Sequence, residues 1–149
     1  MSKRQAIINE LDTRLKQIKI TNGYLTNAGD NVFAWRDSDL EILALPCIVY
    51  FDRLAGKRDD GAIGSFRWSL AIDIFCYGAV GKDTPALTRQ LIADVLRAVG
   101  AADAGRWGGQ AVATELADGT EMNVERRGKT AGEALVSINV IYDAPRWEV

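Results

Sequence analysis

The chain of 149 residues has no histidine, two cysteines, three prolines and no long apolar run. Without an imidazole, the Ser/His/Asp and Cys/His nucleophile arrangements are excluded, as is any mechanism resting on an imidazole base. The commonest transition-metal ligand is missing as well, and two cysteines cannot complete a tetrahedral zinc site. The sequence therefore offers no catalytic, cofactor-binding or metal-ligating set. No stretch approaches the ~18 apolar residues of a membrane span. The N-terminal MSKRQAIINELDTRLKQ lacks the continuous apolar core and small-residue cleavage site of a signal peptide. The expectation is a protein that stays in the cytoplasm where it is made, with no membrane partner. Charge of one sign is also scarce: 18 Lys and Arg against 20 Asp and Glu leave a net −2. No global field recruits nucleic acid or an anionic surface.

What remains is the composition of an ordinary globular domain, 48% hydrophobic and 26% charged. A single domain spanning 1–149 is expected, and a chain of this size buries ~68–70% of its unfolded surface. The organising stretch is Phe66–Tyr77, FRWSLAIDIFCY. Alternation puts Trp68, Leu70, Ile72, Ile74 and Cys76 on one face and Arg67, Ser69, Ala71, Asp73, Phe75 and Tyr77 on the other. Its apolar face needs a cover. The segment Pro85–Val99 supplies one, with Leu87, Leu91, Ile92, Val95, Leu96 and Val99 on one side and Arg89, Gln90, Asp94 and Arg97 pointing away. Thr84-Pro85 begins this helix and Gly100 ends it.

An earlier helix is signalled by Ser2-Lys3-Arg4-Gln5, a capping box. Ile7, Ile8, Leu11, Leu15 and Ile18 follow at helical spacing, with Arg4, Glu10, Arg14 and Lys16 opposite, and Thr21-Asn22-Gly23 stops it. Its five Lys and Arg against two Asp and Glu in the first nineteen residues read as a solvated face. Val32–Trp35 reads as a short strand, and Pro46 opens the strand Cys47–Asp52. Cys47 and Cys76 are read as small buried apolar side chains, possible neighbours on paired strands, which a reducing cytoplasm keeps as thiols. Arg53–Gly64, with Asp60-Gly61, reads as a long hairpin loop that orders against a neighbouring subunit. Its glycines with Lys57 and Arg58 lack the spacing of a phosphate loop. Ala101–Gly109 reads as loop, in which Trp107 is either an exposed contact or packed over the sheet edge. Ala111–Leu116 and Thr120–Arg126 read as strands joined by a turn at Asp118-Gly119, followed by a basic turn at Arg127-Gly128-Lys129. Glu133–Asp143 alternates as a second long strand pairing near Phe66–Tyr77. The sum is an α+β fold, a mostly antiparallel sheet with helices packed on one face in two layers. Phe75, Tyr77, Leu135 and Ile141 are then left on a partly bare face, which points to association.

LTNAGDNVFAWRD after the first helix, PCIVYFD, WSLAIDIFCYG, the second helix and ELADGTEMNVERRGKTAGEALVSINVIYD together resemble small tail proteins of long-tailed bacteriophages and prophages. The closest likeness is to the tail terminator, also called the tail completion or minor tail protein. The likeness covers nearly the whole chain, as a pattern and order of elements. It implies a non-enzymatic virion protein that forms a homo-oligomeric ring, commonly a hexamer; a ring that assembles only on the tube leaves a monomer in solution. The ring caps the tail tube, stops its polymerisation and presents a surface to the head connector. The partners implied are further copies of the chain, the tube protein and connector proteins, in the host cytoplasm during assembly and then in the virion tail. No cofactor and no specific nucleic acid is implied. The candidate subunit contacts are Arg53, Lys57, Arg58, Asp59, Asp60, Phe75, Tyr77 and Ile141. For the tube or connector they are Arg106, Trp107, Arg126, Arg127 and Lys129, since Trp and Arg are favoured at contact hot spots. A head–tail neck protein is the alternative within phage assembly. From another class, a small enzyme would use carboxylates such as Asp73, Asp94 or Glu115.

Overall fold

A computed structural model of the chain describes residues 1–35, 45–80, 84–126 and 130–148. Helix α1 spans Lys3–Lys16 and begins where Ser2 Oγ accepts the Gln5 N–H at 3.2 Å. The Gln5 side chain turns to Asn9 Oδ1 at 2.8 Å, so only the Ser2 half of the capping box forms. Ile7, Leu11 and Leu15, with Ile18 just past the helix end, are buried. A single 3₁₀ turn, Ile20–Asn22, then ends on Gly23 at φ 85°, a left-handed position that suits glycine.

Among the described residues the sheet contains β1 (Val32–Ala34), β2 (Cys47–Asp59), β3 (Ser65–Val80), β4 (Ala113–Arg126) and β5 (Thr130–Pro145), with α2 (Thr84–Gly100) between β3 and β4. Among the described residues the order is β1-β2-β3-β5-β4. Only β1 and β2 run parallel; the other pairs are antiparallel. The fold is therefore the α+β arrangement that the pattern of elements predicts. The Phe66–Tyr77 stretch lies in β3, the middle strand, and β5 pairs with it from Ser65↔Pro145 to Val80↔Ala131. Both helices pack on one face. There Ile48, Tyr50, Leu70, Ile72, Ile74 and Cys76 meet Val136, Ile138, Val140 and Tyr142 beneath Leu11, Leu15, Leu91 and Val95. Each large aliphatic side chain removed from water here contributes ~1.5–3 kcal/mol. Cys47 and Cys76 are both buried and are not joined as a disulfide. Cys47 pairs with Tyr77, and Cys76 with Ile48, so the two thiols are one register step apart on opposite faces of neighbouring strands. Burial pushes the Cys76 thiol well above its ordinary range.

Several expectations are corrected. Arg53–Gly64 is not one long loop: β2 continues to Asp59 and only the turn before Ser65 separates it from β3. Two bulges, at Arg53 and Arg58, break the alternation by which such a strand is recognised. Asp118-Gly119 does not reverse the chain. It lies inside β4, between Leu116↔Ile138 and Thr120↔Val136, where two extra residues are accommodated with Gly119 at φ 84°. Arg14 and Asp94 do not point into solvent; both are buried. Leu96 does, at 38% exposed. Asp94 closes the helix layer by accepting from Leu25 N at 3.0 Å, Thr26 N at 2.8 Å and Thr26 Oγ1 at 2.7 Å.

Candidate interaction surfaces

The face of the sheet opposite the helices carries the residues set outward on β3: Ser69, Ala71, Asp73, Phe75 and Tyr77. Pairing continues this face onto Val49 and Phe51 of β2 and Leu135, Ser137 and Asn139 of β5. At one end it is aromatic. Trp35 meets Phe51 edge-on at 5.5 Å, Phe51 meets Phe75 edge-on at 5.8 Å, and Phe75 stacks on Tyr77 at 6.5 Å. Trp35 is 57% exposed and held at φ 52°. Its indole donates to Asp52 Oδ1, whose other oxygen takes Arg4 at 2.6 Å. The row therefore crosses three strands in a fixed arrangement. Toward the middle the face becomes polar. The Arg53 bulge aims its guanidinium at Asp73 at 2.6 Å, Ser137 Oγ donates to the same carboxylate at 2.7 Å, and Arg58 reaches Glu115 at 3.5 Å. At the far end Arg67 holds Asp143 through two bonds of 2.8 and 2.9 Å. Arg67 keeps the Asp143 carboxyl below the usual carboxylate range.

The residues nominated from sequence fall in different places. Arg53, Arg58, Phe75 and Tyr77 share the outer face. Lys57 pairs with Trp68, on the other side of β2, and bridges Asp60 at 2.7 Å. Asp59 lies opposite Arg67, and Asp60 begins the exposed turn. Ile141 does face outward, but it is buried and presents little surface. Trp107 is buried, which removes it as a tube or connector contact. Its indole donates to Thr114 Oγ1 at 2.7 Å and the Arg14 guanidinium lies 4.8 Å over its ring. Arg106 is exposed in the loop before β4. Arg126 ends β4, roughly 40 Å away at ~3.3 Å per residue, so the two do not form one patch. Only the backbone of Arg126 is described, and Arg127 and Lys129 lie outside the described residues.

The carboxylates named for enzyme chemistry are also separated. Asp73 is held by Arg53 and Ser137, Glu115 by Arg58, and Asp94 by the Leu25–Thr26 backbone. A groove of ≈ 500 Å³ runs between α1 and β1–β2, with Asp12, Tyr50, Asp52 and Trp35 in its walls. Its carboxylates are engaged too: Asp12 accepts from Tyr50 Oη at 3.0 Å and bridges Lys16 at 2.6 Å. Burial, and then Asp12, push the Tyr50 phenol well up. Among the described residues no three His, Cys, Asp or Glu side chains gather as a metal site would require. No described helix is long and apolar enough to cross a membrane.

Sequence reasoning did not single out Trp35, Ile63 or the inner row of β4 as surface features. Trp35 had a signal, an aromatic at the end of a short strand before a polar run. Ile63 is an isolated isoleucine in a charged turn and is fully exposed. Compared with family models and with curated proteins, the chain matches none.

Proposed function

We propose that the chain is a structural protein of a bacteriophage or prophage tail. It caps the tail tube as a ring of identical subunits, stops tube polymerisation and offers a surface for joining to the head. The observation that carries this reading is the aromatic row Trp35–Phe51–Phe75–Tyr77 on the face that no described helix covers. A rigid, half-exposed aromatic surface of this kind is a docking surface: aromatic side chains give large contact area at low entropic cost. The resemblance of the chain's stretches to tail terminators supplies the partners, which are further copies, the tube protein and the head connector. A capping ring needs a sideways contact between copies and two faces that differ. A face with aromatics at one end and the Arg53–Asp73–Ser137 cluster beyond them is suited to a single orientation on its partner. On this reading the protein works in the host cytoplasm during assembly and remains in the virion tail.

Electron microscopy of tails assembled with and without the protein tests it. Tails of uncontrolled length in its absence are the expected result. Tails of normal length beside unjoined, filled heads would replace the terminator with the neck protein. Joined particles of normal length would reject both.

A further inference from the structure

The outer face of the sheet is low in its middle and raised around the sides. The floor is formed by Ser69 and Ala71 on β3 and Ser137 and Asn139 on β5, which are short side chains. Gly56, opposite Ser69, adds none, and a Cβ placed there would meet nothing within 4 Å. A hollow of ≈ 420 Å³ lies over Gly56, Ala71 and Asn139, and a second of ≈ 220 Å³ over Asp73 and Ser137. Phe75 and Leu135 close one end of this trough, and the Arg67–Asp143 pair closes the other. Phe75 and Arg67 stand about 27 Å apart along β3.

The two long sides are the margins of the sheet, and they differ in charge. Pairing of β1 ends at Ala34↔Tyr50, so from Arg53 onward β2 is the margin among the described residues. The bulges at Arg53 and Arg58 turn both guanidiniums onto the outer face, where they reach Asp73 and Glu115. Across the sheet, β4 sets Glu115 and Glu121 on the same face, opposite Asn139 and Leu135. Asp118 lines the smaller hollow with Glu121. Three strand spacings separate β2 from β4, about 14–15 Å. Arg58 and Glu115 meet over the floor at 3.5 Å, and both are half-exposed. An exposed pair at that distance contributes little, so each side chain is free to take a new partner lying between the walls.

We propose that this trough receives an amphipathic helix of a different protein. The helix has short side chains against the floor, Asp or Glu on the flank facing Arg53 and Arg58, and Lys or Arg on the flank facing Glu115 and Glu121. The dimensions choose a helix: it is about 10–12 Å across, and about 18 residues of it span the trough from end to end. An amphipathic helix laid in a groove is a recurring mode of recognition. The charges choose which helix, because the opposite arrangement sets like charge against like along both walls. A second copy does not supply it. Every exposed position of α1 and α2 is uncharged or basic, and Glu10 is already bound to Arg14. An apolar residue at one end of the helix meets Phe75 and Leu135 and fixes its direction. This occupant deepens the docking reading above and rests on it, by naming the element that a partner brings to the face.

Two fluorescein-labelled helical peptides of about 18 residues test the fit by anisotropy against the full chain. Both carry Ala and Ser on one face and Leu at the same end. One has Glu along the first flank and Lys along the second; the other has them exchanged. One of the two should bind at least about tenfold more tightly than the other, a ~1.4 kcal/mol preference. Arg58→Glu combined with Glu115→Arg keeps the pair across the floor but leaves each wall with one charge of each sign, and should bring the two affinities together. Gly56→Leu should fill the hollow and abolish binding, whereas Gly56→Ala should leave it within about twofold. A central proline should weaken the better peptide at least about tenfold. Equal affinities for the parent chain, no binding at the highest soluble concentration, or full binding of the proline peptide would each overturn the helix. Tails of uncontrolled length on deletion, with no preference between the peptides, would keep the terminator reading and reject this occupant. Tails of normal length on deletion, with the preference intact, would do the reverse.

Discussion

A guanidinium buried between two helices must give its five donors to fixed acceptors. Arg14 does so. Nη1 donates to the Val99 carbonyl and to Asp103 Oδ1, both at 3.0 Å, Nη2 to Asp103 Oδ2 at 2.8 Å, and Nε to Glu10 at 2.9 Å. Asp103 also accepts the N–H groups of Arg106 at 3.1 Å and Gly108 at 2.7 Å. One ion pair thus ties α1 to the end of α2 and to the loop that carries Trp107. Arg14, and then the Gly108 and Arg106 amides, hold the Asp103 carboxyl far below its ordinary range. For a depressed carboxylate, the stabilisation is complete above the unfolded pKa of ~3.9 and is lost as pH falls below it toward the folded value. Asp103→Asn should therefore cost about 1–3 kcal/mol near neutrality, where it leaves Arg14 underpaired. It should also make stability fall less steeply below pH ~4. Asp143, held down by Arg67, retains part of that acid slope. Urea denaturation at neutral and acid pH measures both effects, and an unchanged acid slope would show that Asp103 is not what the acid titrates.

At the scale of elements, α2 lies close on the sheet because β5 gives it room. A Cβ at Gly132 would collide with Thr88 Oγ1, whose hydroxyl is already bonded to the Thr84 carbonyl at 2.7 Å. Gly132→Ala should therefore push the first turns of α2 off β5 and cost about 1–3 kcal/mol. Gly56→Ala, in β2 with nothing within 4 Å of the added methyl, should stay within ~0.5 kcal/mol of the parent. Thermal melts of the two variants separate close packing from a general intolerance of strand glycines. The same elements show what the sequence makes legible. β3, β5 and both helices follow from alternation and 3.6-residue spacing, because one uninterrupted apolar face is buried in each. β2 beyond Asp52 and the middle of β4 do not, because bulges at Arg53, at Arg58 and around Asp118-Gly119 shift the face partway along. Spacing sets Arg14 and Asp94 in solvent, although both are buried, for a related reason. Spacing reports which way a charge points but not whether another segment arrives to pair with it. Trp107 is such a case, since the Thr114 and Arg14 that enclose it are seven and ninety-three positions away. The exposed Ile63 and Trp147 have no periodic signature at all.

For the whole molecule, the sheet face that no described helix covers is where the capping reading meets a functional test. On that reading the row Trp35–Phe51–Phe75–Tyr77 docks on a partner. Phe75 is the residue on which to test this, because it touches both Phe51 and Tyr77 in that row. Phe75→Glu removes these ring contacts, worth about 0.5–1.5 kcal/mol each, and leaves the helix-side core untouched. The variant should stay folded with a modestly lowered melting temperature. It should nevertheless fail to restore tail length when supplied to a deletion. If Phe75→Glu restores tails of normal length, the aromatic face is not the docking surface.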